Sequence, residues 1–314
     1  MIVTLGESMM VFNGPPAVPI SMGTALHTTF AGAESNVAIG LARLGHAVRY
    51  LTVLGDDPFG HAIFKTLRSE GVETSGIQFS ASHPTGVMIK NRWPGDEPQV
   101  FYYRNTSAFA HAGAGTFDPA LWRDAKLIYL TGITTALSAE CLALVRQVIA
   151  DAQAHNIPVW FDPNYRRKLW SGEQFLQTVA ELLPRIDTIL PGFHEGQLLT
   201  GKTDPGEIAC KLMGMGVKNV ILKAGSKGVV AYTTDGKEMA DPFPIDRVID
   251  PIGAGDAFAA GYLAAYLDGL PLATRLQRAH AAAAMVCMTQ GDWEGLPTRT
   301  QLDHFLARHP EADR

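Results

Sequence analysis

Residues 250–261 read Asp250-Pro251-Ile252-Gly253-Ala254-Gly255-Asp256-Ala257-Phe258-Ala259-Ala260-Gly261. This is not the dinucleotide fingerprint G-x-G-x-x-G: the sixth position is Phe258, and no ribose-binding acid stands in the right place. Gly253-Ala254-Gly255 turns tightly into a helix expected from about Asp256 to Leu267. The unpaired N–H groups at such a helix start form an anion site. Asp256 then sits inside that site, where its own charge would repel a phosphate. A carboxylate there makes sense as a base that takes a proton from a hydroxyl as phosphate arrives. The other reading is an Asp that merely caps the helix, and the spacing leaves both open.

Outward from this stretch, buried-strand patterns recur at Ile2–Leu5, Val48–Leu54, Leu127–Thr131, Pro158–Asp162, Thr188–Leu190, Asn219–Lys223 and Val229–Thr233. Helical patterns lie between most of them. One runs over Asn36–Leu44 to Gly45 and another over His61–Glu70 to Gly71. A third is N-capped by Ser138, with Leu142, Val145 and Ile149 on one face. Strands alternating with helices predict an α/β fold with a mainly parallel sheet covered on both faces. Two regions break the rhythm. Residues 8–30 suggest short strands and turns. Residues 84–110 read as a hairpin, with Thr85–Lys90 and Gln99–Arg104 joined through Trp93-Pro94-Gly95-Asp96. Such an antiparallel insert is either a lid over the ligand crevice or an edge hairpin.

Composition narrows the function classes. The chain has 314 residues, 46% hydrophobic, with a net charge of −5. One large domain with inserted segments fits that length. No basic stripe points to nucleic acid, and no apolar run of ~18 residues points to a membrane span. Cys141, Cys210 and Cys287 form neither a disulfide framework nor a metal-ligand pair, which suits a reducing cytoplasm.

Three further motifs bear on ligands. Gly196–Thr203, GQLLTGKT, satisfies the Walker A pattern, but its interior leucines are poor material for a phosphate cradle. It reads better as a helical turn over Glu195–Thr200 closed by Gly201 as a left-handed cap, with Asp204-Pro205 starting the next helix. Ala31-Gly32-Ala33-Glu34-Ser35-Asn36 opens another helix, where small residues let a ligand approach and Asn36 offers a donor and an acceptor to a polyol. Lys223-Ala224-Gly225-Ser226-Lys227-Gly228 is a turn between strands, either a simple hairpin or a shelf for a nucleotide.

Together, Gly32-Ala33-x-x-Asn36 and Asp250–Gly261 resemble the two signatures of the PfkB family of sugar kinases, also called the ribokinase family. The resemblance extends along nearly the whole chain, including Lys223-x-Gly225-x-x-Gly228. The segments AGAESN, QVFYYRNTSA, DPNYRRKLW, LPGFHEGQLLTG and GDWEGLPTR are most similar to members acting on a keto-deoxy sugar acid. The resemblance implies a ribokinase-like three-layer α/β sandwich with a small β-sheet lid. It implies ATP and Mg²⁺, with phosphoryl transfer to 2-keto-3-deoxygluconate; whether K⁺ binds near Asp250 is left open. It makes Asp256 the general base and the amides of Gly253, Ala254 and Gly255 the anion hole. It places Asn164, Arg166, Lys223, Gly225, Ser226, Gly228, Gly253 and Gly255 around the nucleotide. Gly32, Asn36, Tyr102, Arg104, Arg166, Asp256 and Asp292 fall around the substrate. Glu195 matches the acid of the family's Asn-x-x-Glu motif, which orders the metal through water; the Asn is replaced here by Gly192. Met88 stands where related enzymes can place a tyrosine. Lids of this family often pair between subunits, so a homo-oligomer is expected.

The residues also bear on the choice of substrate. A carboxylate calls for a cation, and Arg pairs with it bidentately. Strand alternation puts Tyr102 and Arg104 on one face. Arg104 is then a carboxylate clamp or, alternatively, an exposed Arg that keeps an edge soluble. A kinase for another sugar such as fructose, ribose or 5-keto-2-deoxygluconate, a sugar-acid sensor without turnover, and an oxidoreductase are the competing functions. The last is disfavoured by the missing fingerprint.

Overall fold

The computed structural model describes residues 1–15, 18–91, 99–245 and 247–309. The chain opens with β1 (Ile2–Leu5), β2 (Met9–Asn13) and β3 (His27–Ala31), then α1 (Ala33–Arg43) and β4 (Val48–Gly55). It continues through α2 (Pro58–Ser69), β5 (Ile77–Ser80), β6 (Gly86–Asn91) and β7 (Gln99–Tyr103). The middle comprises β8 (Leu127–Thr131), α3 (Gly132–Leu137), α4 (Ala139–Ala154), β9 (Val159–Asp162), α5 (Gly172–Leu182) and β10 (Thr188–Ile189). There follow α6 (Phe193–Thr200), α7 (Pro205–Gly214), β11 (Asn219–Lys223), β12 (Val229–Thr233) and β13 (Gly236–Ala240). Three helices close the chain: α8 (Ala254–Leu267), α9 (Leu272–Cys287) and α10 (Arg299–Arg308).

Nine strands form one sheet in the order β13-β12-β11-β10-β9-β8-β1-β4-β5. It is parallel from β11 to β5 and antiparallel at the β12–β13 edge. Side chains leave its strands alternately to two cores. Leu127, Tyr129, Trp160 and Ile221 join α1, α8 and α9 on one face. Ile128, Leu130, Phe161 and Val220 join α4, α5 and α7 on the other. Burial on both faces explains the unbroken apolar runs of these strands. The second sheet, β3-β2-β6-β7, pairs β2 with β6 in parallel and is otherwise antiparallel.

Several boundaries differ from expectation for local reasons. Helix α2 begins at Pro58, three residues early, because Asp57 caps it through Gly60 N with proline in the first turn. Helix α8 begins at Ala254 rather than Asp256, because Gly253 is already its N-cap. The hydrophobic face of α4 is built on Cys141, Leu144, Val145, Val148 and Ile149, and Leu142 is only half-buried. The expected Trp93–Asp96 turn lies outside the described residues. No described helix is long and apolar enough to cross a membrane.

Candidate active site

Two cavities open beyond the C-terminal ends of the parallel strands, where ligands of open α/β sheets bind, and they meet at the N-terminus of α8. The first has a volume of about 430 Å³ and includes Gly32, Asn36, Tyr102, Arg104, Arg166, Gly253, Asp256 and Asp292 in its lining. The small sheet covers it, since Met9, Ala31, Met88, Lys90, Val100 and Tyr102 also line it. The second, about 520 Å³, includes Lys223, Gly225, Ser226, Gly228, Ala254 and Gly255. Of the residues expected around the nucleotide, the substrate and the metal, Asn164 and Glu195 line neither cavity.

The local chemistry explains why these residues converge. Gly253 adopts φ 83° as the N-cap of α8, and no side chain caps that helix. A Cβ at Gly253 would collide with the carbonyl oxygen of Asp292. Asp256 lies in the first turn of α8 and does not cap it, which removes the capping alternative. Its Oδ2 accepts from Asn36 Nδ2 at 2.8 Å, bridging the first turns of α1 and α8. Burial pushes the Asp256 carboxyl up to about 7, against the pull of the Asn36 hydrogen bond, and nearby Asp162 adds to the rise. A carboxyl poised near neutrality suits a general base. One N–H of the Asn36 amide thus goes to Asp256, while its Oδ1 is buried without a partner among the described residues.

Gly32 is required for another reason. A Cβ there would strike the backbone carbonyl of Glu7. Glu7 is itself buried and ties down Arg104. Arg104 Nε donates to Glu7 Oε2 at 2.7 Å and Nη2 lies 2.5 Å from the same oxygen, while Ser107 Oγ donates to Oε1. Arg104 is 5% exposed, so the soluble-edge reading is wrong. Its guanidinium also sits over the Tyr102 ring at 5.6 Å. Lys90 Nζ meets Asp292 Oδ1 at 2.5 Å, both buried. Burial raises the Asp292 carboxyl, and Lys90 opposes that rise. Arg166 has no carboxylate partner within ion-pair distance among the described residues and stands exposed at the cavity mouth with Arg167 and Lys168.

On the other side of α8, Lys223 Nζ pairs with Asp162 Oδ2 at 2.5 Å. The turn after Lys223 places Gly225 at φ 58° and Gly228 at φ 87°. His280 also lines this cavity with its Nε2 buried and unpartnered, and burial lowers its imidazole to about 4. Asn164 is held at φ 38°, its N–H donating to Asp162 Oδ1 at 3.1 Å. Glu195 accepts from the backbone N–H groups of Gly192, at 2.6 Å, and Tyr165, at 2.7 Å. It caps α6, and Gly201 closes that helix at φ 69° as a left-handed cap. The Walker A match is therefore a helix and its end, with α7 capped separately by Asp204.

A family model described as pfkB family carbohydrate kinase matches residues 1–299. The chain is a pfkB family carbohydrate kinase. It is 36% identical to a 2-dehydro-3-deoxygluconokinase of Bacillus subtilis (strain 168), over 97% of this chain and 95% of that protein. It is 30% identical to a 2-dehydro-3-deoxygluconokinase of Thermoproteus tenax, over 97% and 94%. A solved PfkB protein from Polaromonas sp. JS666 superposes with a TM-score of 0.88 at 35% identity, covering 96% of this chain and 98% of that one. The α/β architecture with its small second sheet agrees with that of ribokinase-like structures.

Sequence reasoning missed Glu7, Lys90, Arg167 and Lys168 of the first cavity, His280 of the second, and Asp162, the partner of Lys223. Glu7, Lys90 and Asp162 announce themselves only through partners 97, 202 and 61 residues away. The basic run Arg166-Arg167-Lys168 was legible as charge.

Proposed function

We propose that this kinase transfers the γ-phosphoryl group of ATP to the terminal hydroxyl of 2-keto-3-deoxygluconate. The observation that carries this reading is the charge balance of the first cavity. Lys90, Arg104, Arg166, Arg167 and Lys168 line it against only three carboxylates, Glu7, Asp256 and Asp292. A neutral sugar needs no such surplus, whereas a sugar acid next to a transferring phosphoryl group does. The names of the two relatives support the same substrate.

Asp256 takes the proton of the attacking hydroxyl. That oxygen bonds to the γ-phosphorus as the bond to the ADP oxygen breaks. The first-turn amides of α8, from Gly253 to Gly255, are aimed where negative charge develops. Lys223, Gly225, Ser226 and Gly228 hold the nucleotide side, with Asn164 behind Arg166. The small sheet acts as a lid that excludes water. Its Phe101 and Tyr103 are 49% and 64% exposed on the face opposite Tyr102, and that face pairs two copies of the chain.

Among the described residues no cluster of three His, Cys, Asp or Glu side chains could hold a metal ion. Mg²⁺ in phosphoryl transfer is held by phosphates, waters and one or two carboxylates, so the donor set fits an ion carried by the nucleotide. Asp162 and Glu195 are the carboxylates that would hold it, both through water, because the oxygens of Glu195 serve backbone amides and those of Asp162 serve Asn164 N–H and Lys223. The ion supplies counter-charge to the phosphates.

The test is an ADP-release assay with Mg-ATP on 2-keto-3-deoxygluconate, 5-keto-2-deoxygluconate, fructose, ribose and gluconate. Turnover on 2-keto-3-deoxygluconate alone is expected. Equal or better turnover on a neutral sugar overturns the carboxylate reading. ADP release with none of them supports a binding protein instead.

A further inference from the structure

An ion pair stands at each end of strand β6, and both pairs line the first cavity. At the start of β6, a Cβ on Gly86 would run into Glu7, and Arg104 lies one residue beyond the Val87–Tyr103 pairing of β6 with β7. The Glu7–Arg104 pair therefore sits at the Gly86 end. At the other end stands Lys90, four residues on and on the same strand face as Gly86 and Met88. Four residues of strand span ~13 Å. A six-carbon chain with a hydrogen bond at each end fits that span.

The Lys90 end is also the end nearest the chemistry. Asp292, its partner, presses its carbonyl against Gly253, the N-cap of the helix that carries Asp256. Lys90 is 3% exposed and Asp292 4% exposed, and both line the cavity. Asp292 Oδ1 is the one acceptor for the Lys90 ammonium among the described residues. An ammonium has three donors and a carboxylate about four acceptor sites. One contact between them leaves donors and acceptors over, next to one another, at a cavity wall. Leaving them unmade in a buried place costs stability. A hydroxyl that both donates and accepts satisfies the two groups together. A third cavity, of about 200 Å³, lies behind Lys90, bordered by Thr29 and Glu294. Thr29 Oγ1 donates to Glu294 Oε1 at 2.5 Å, which fixes the small sheet to the same loop without help from Lys90.

We propose that Lys90 is a substrate-contacting residue: anchored on Asp292, its ammonium donates to a hydroxyl oxygen near the reacting end of the sugar acid, opposite the end held by Arg104. This rests on the sugar-acid reading above and adds a second selective contact to it. A neutral Met88 lies between the two pairs on the same strand face. The acid is therefore gripped at its ends, and its middle is left to packing.

The experiment is a kinetic comparison in two backgrounds. Lys90→Met in the otherwise native chain is expected to raise the KM for 2-keto-3-deoxygluconate at least tenfold and to leave the KM for ATP within twofold. That variant strands Asp292 as a buried charge and can fail to fold. Two variants without a lone charge are therefore compared, Asp292→Asn/Lys90→Gln, which keeps a donor, and Asp292→Asn/Lys90→Met, which has none. If Lys90 touches the substrate, the Met variant has a sugar-acid KM at least fivefold above that of the Gln variant. Equal KM values in those two overturn the proposal, because Lys90 would then act only through Asp292. Wild-type turnover of the acid is read first. Its absence overturns the sugar-acid reading and this one together, and normal wild-type turnover with equal KM values overturns this one alone.

Discussion

Asn36 Nδ2 donates to Asp256 Oδ2 across 220 residues of sequence, a buried bond of 2.8 Å. The bond joins the starts of α1 and α8, whose N-caps are Gly32 and Gly253. It also favours the charged form of a carboxyl that burial drives the other way. Replacing Asn36 by Ala removes that support, so the Asp256 carboxyl rises further. The acid limb of kcat/KM for the sugar acid, expected near pH 7, then moves up by about one unit. A pH–rate profile of the variant checks this, and an unmoved limb would separate Asp256 from that ionisation.

Asp256→Asn is expected to lower kcat by a factor on the order of 10³ or more, with ATP binding retained. It is also expected to stabilise the fold. Asp256 stands at about 7 in the folded chain against its usual 3.8. Between those values the folded state holds more protons than the unfolded state, so stability falls as pH rises through that window. The amide escapes this cost and still offers an oxygen to Asn36. At pH 8 the variant should melt about 2–5 °C above wild type, and at pH 4 the difference should vanish. Thermal melts at both values decide it. A variant less stable at pH 8 would show that the carboxylate is not strained by burial.

As a carboxylate clamp, Arg104 bears mainly on the KM for the acid. Its pairing with Glu7 adds a second consequence. Arg104→Ala leaves Glu7 charged, buried and unpaired, which costs about 3–5 kcal/mol. The variant should therefore lose stability as well as affinity for the acid. Glu7→Gln combined with Arg104→Met removes both charges. It should recover most of the melting temperature while the sugar-acid KM stays at least tenfold raised. Recovery of the KM along with stability would mean that Arg104 holds the site together and does not touch the substrate.

How far the sequence can be read follows from where each signal resides. Helix α8 and its anion site are local: Gly253-Ala254-Gly255 permits one tight turn, and Asp256 follows within it. The central strands are also local, because burial on both faces writes them as apolar runs such as Leu127–Thr131. Strand β13 was not legible, because Gly236–Ala240 is an edge with exposed Lys237 and Glu238. β5 is likewise a short edge strand with Gln78 and Phe79 exposed. The partners of Arg104, Lys90 and Lys223 were hidden for a different reason. A charged residue in sequence does not say which opposite charge the fold brings to it, and these choices are made by strand order. Glu195 kept its place in a recognisable motif, yet its carboxylate faces backbone amides, which only the loop geometry reveals.

The two glycines that flank Ala254 separate fold from binding. Gly253 needs φ 83°, and its missing side chain makes room for the Asp292 carbonyl. Gly253→Ala strains the backbone and forces that carbonyl aside. It should lower the melting temperature and raise KM for both substrates, since Gly253 borders the first cavity and Asp292 moves with it. Gly255 has no such demand: a Cβ there meets nothing within 4 Å. That open space belongs to the nucleotide cavity. Gly255→Ala should therefore melt within about 1 °C of wild type and show a raised KM for ATP only. Differential scanning calorimetry with steady-state kinetics on both variants checks the pair. A Gly255→Ala protein with unchanged KM for ATP would place the phosphates away from the α8 N-terminus and remove the anion hole from the mechanism.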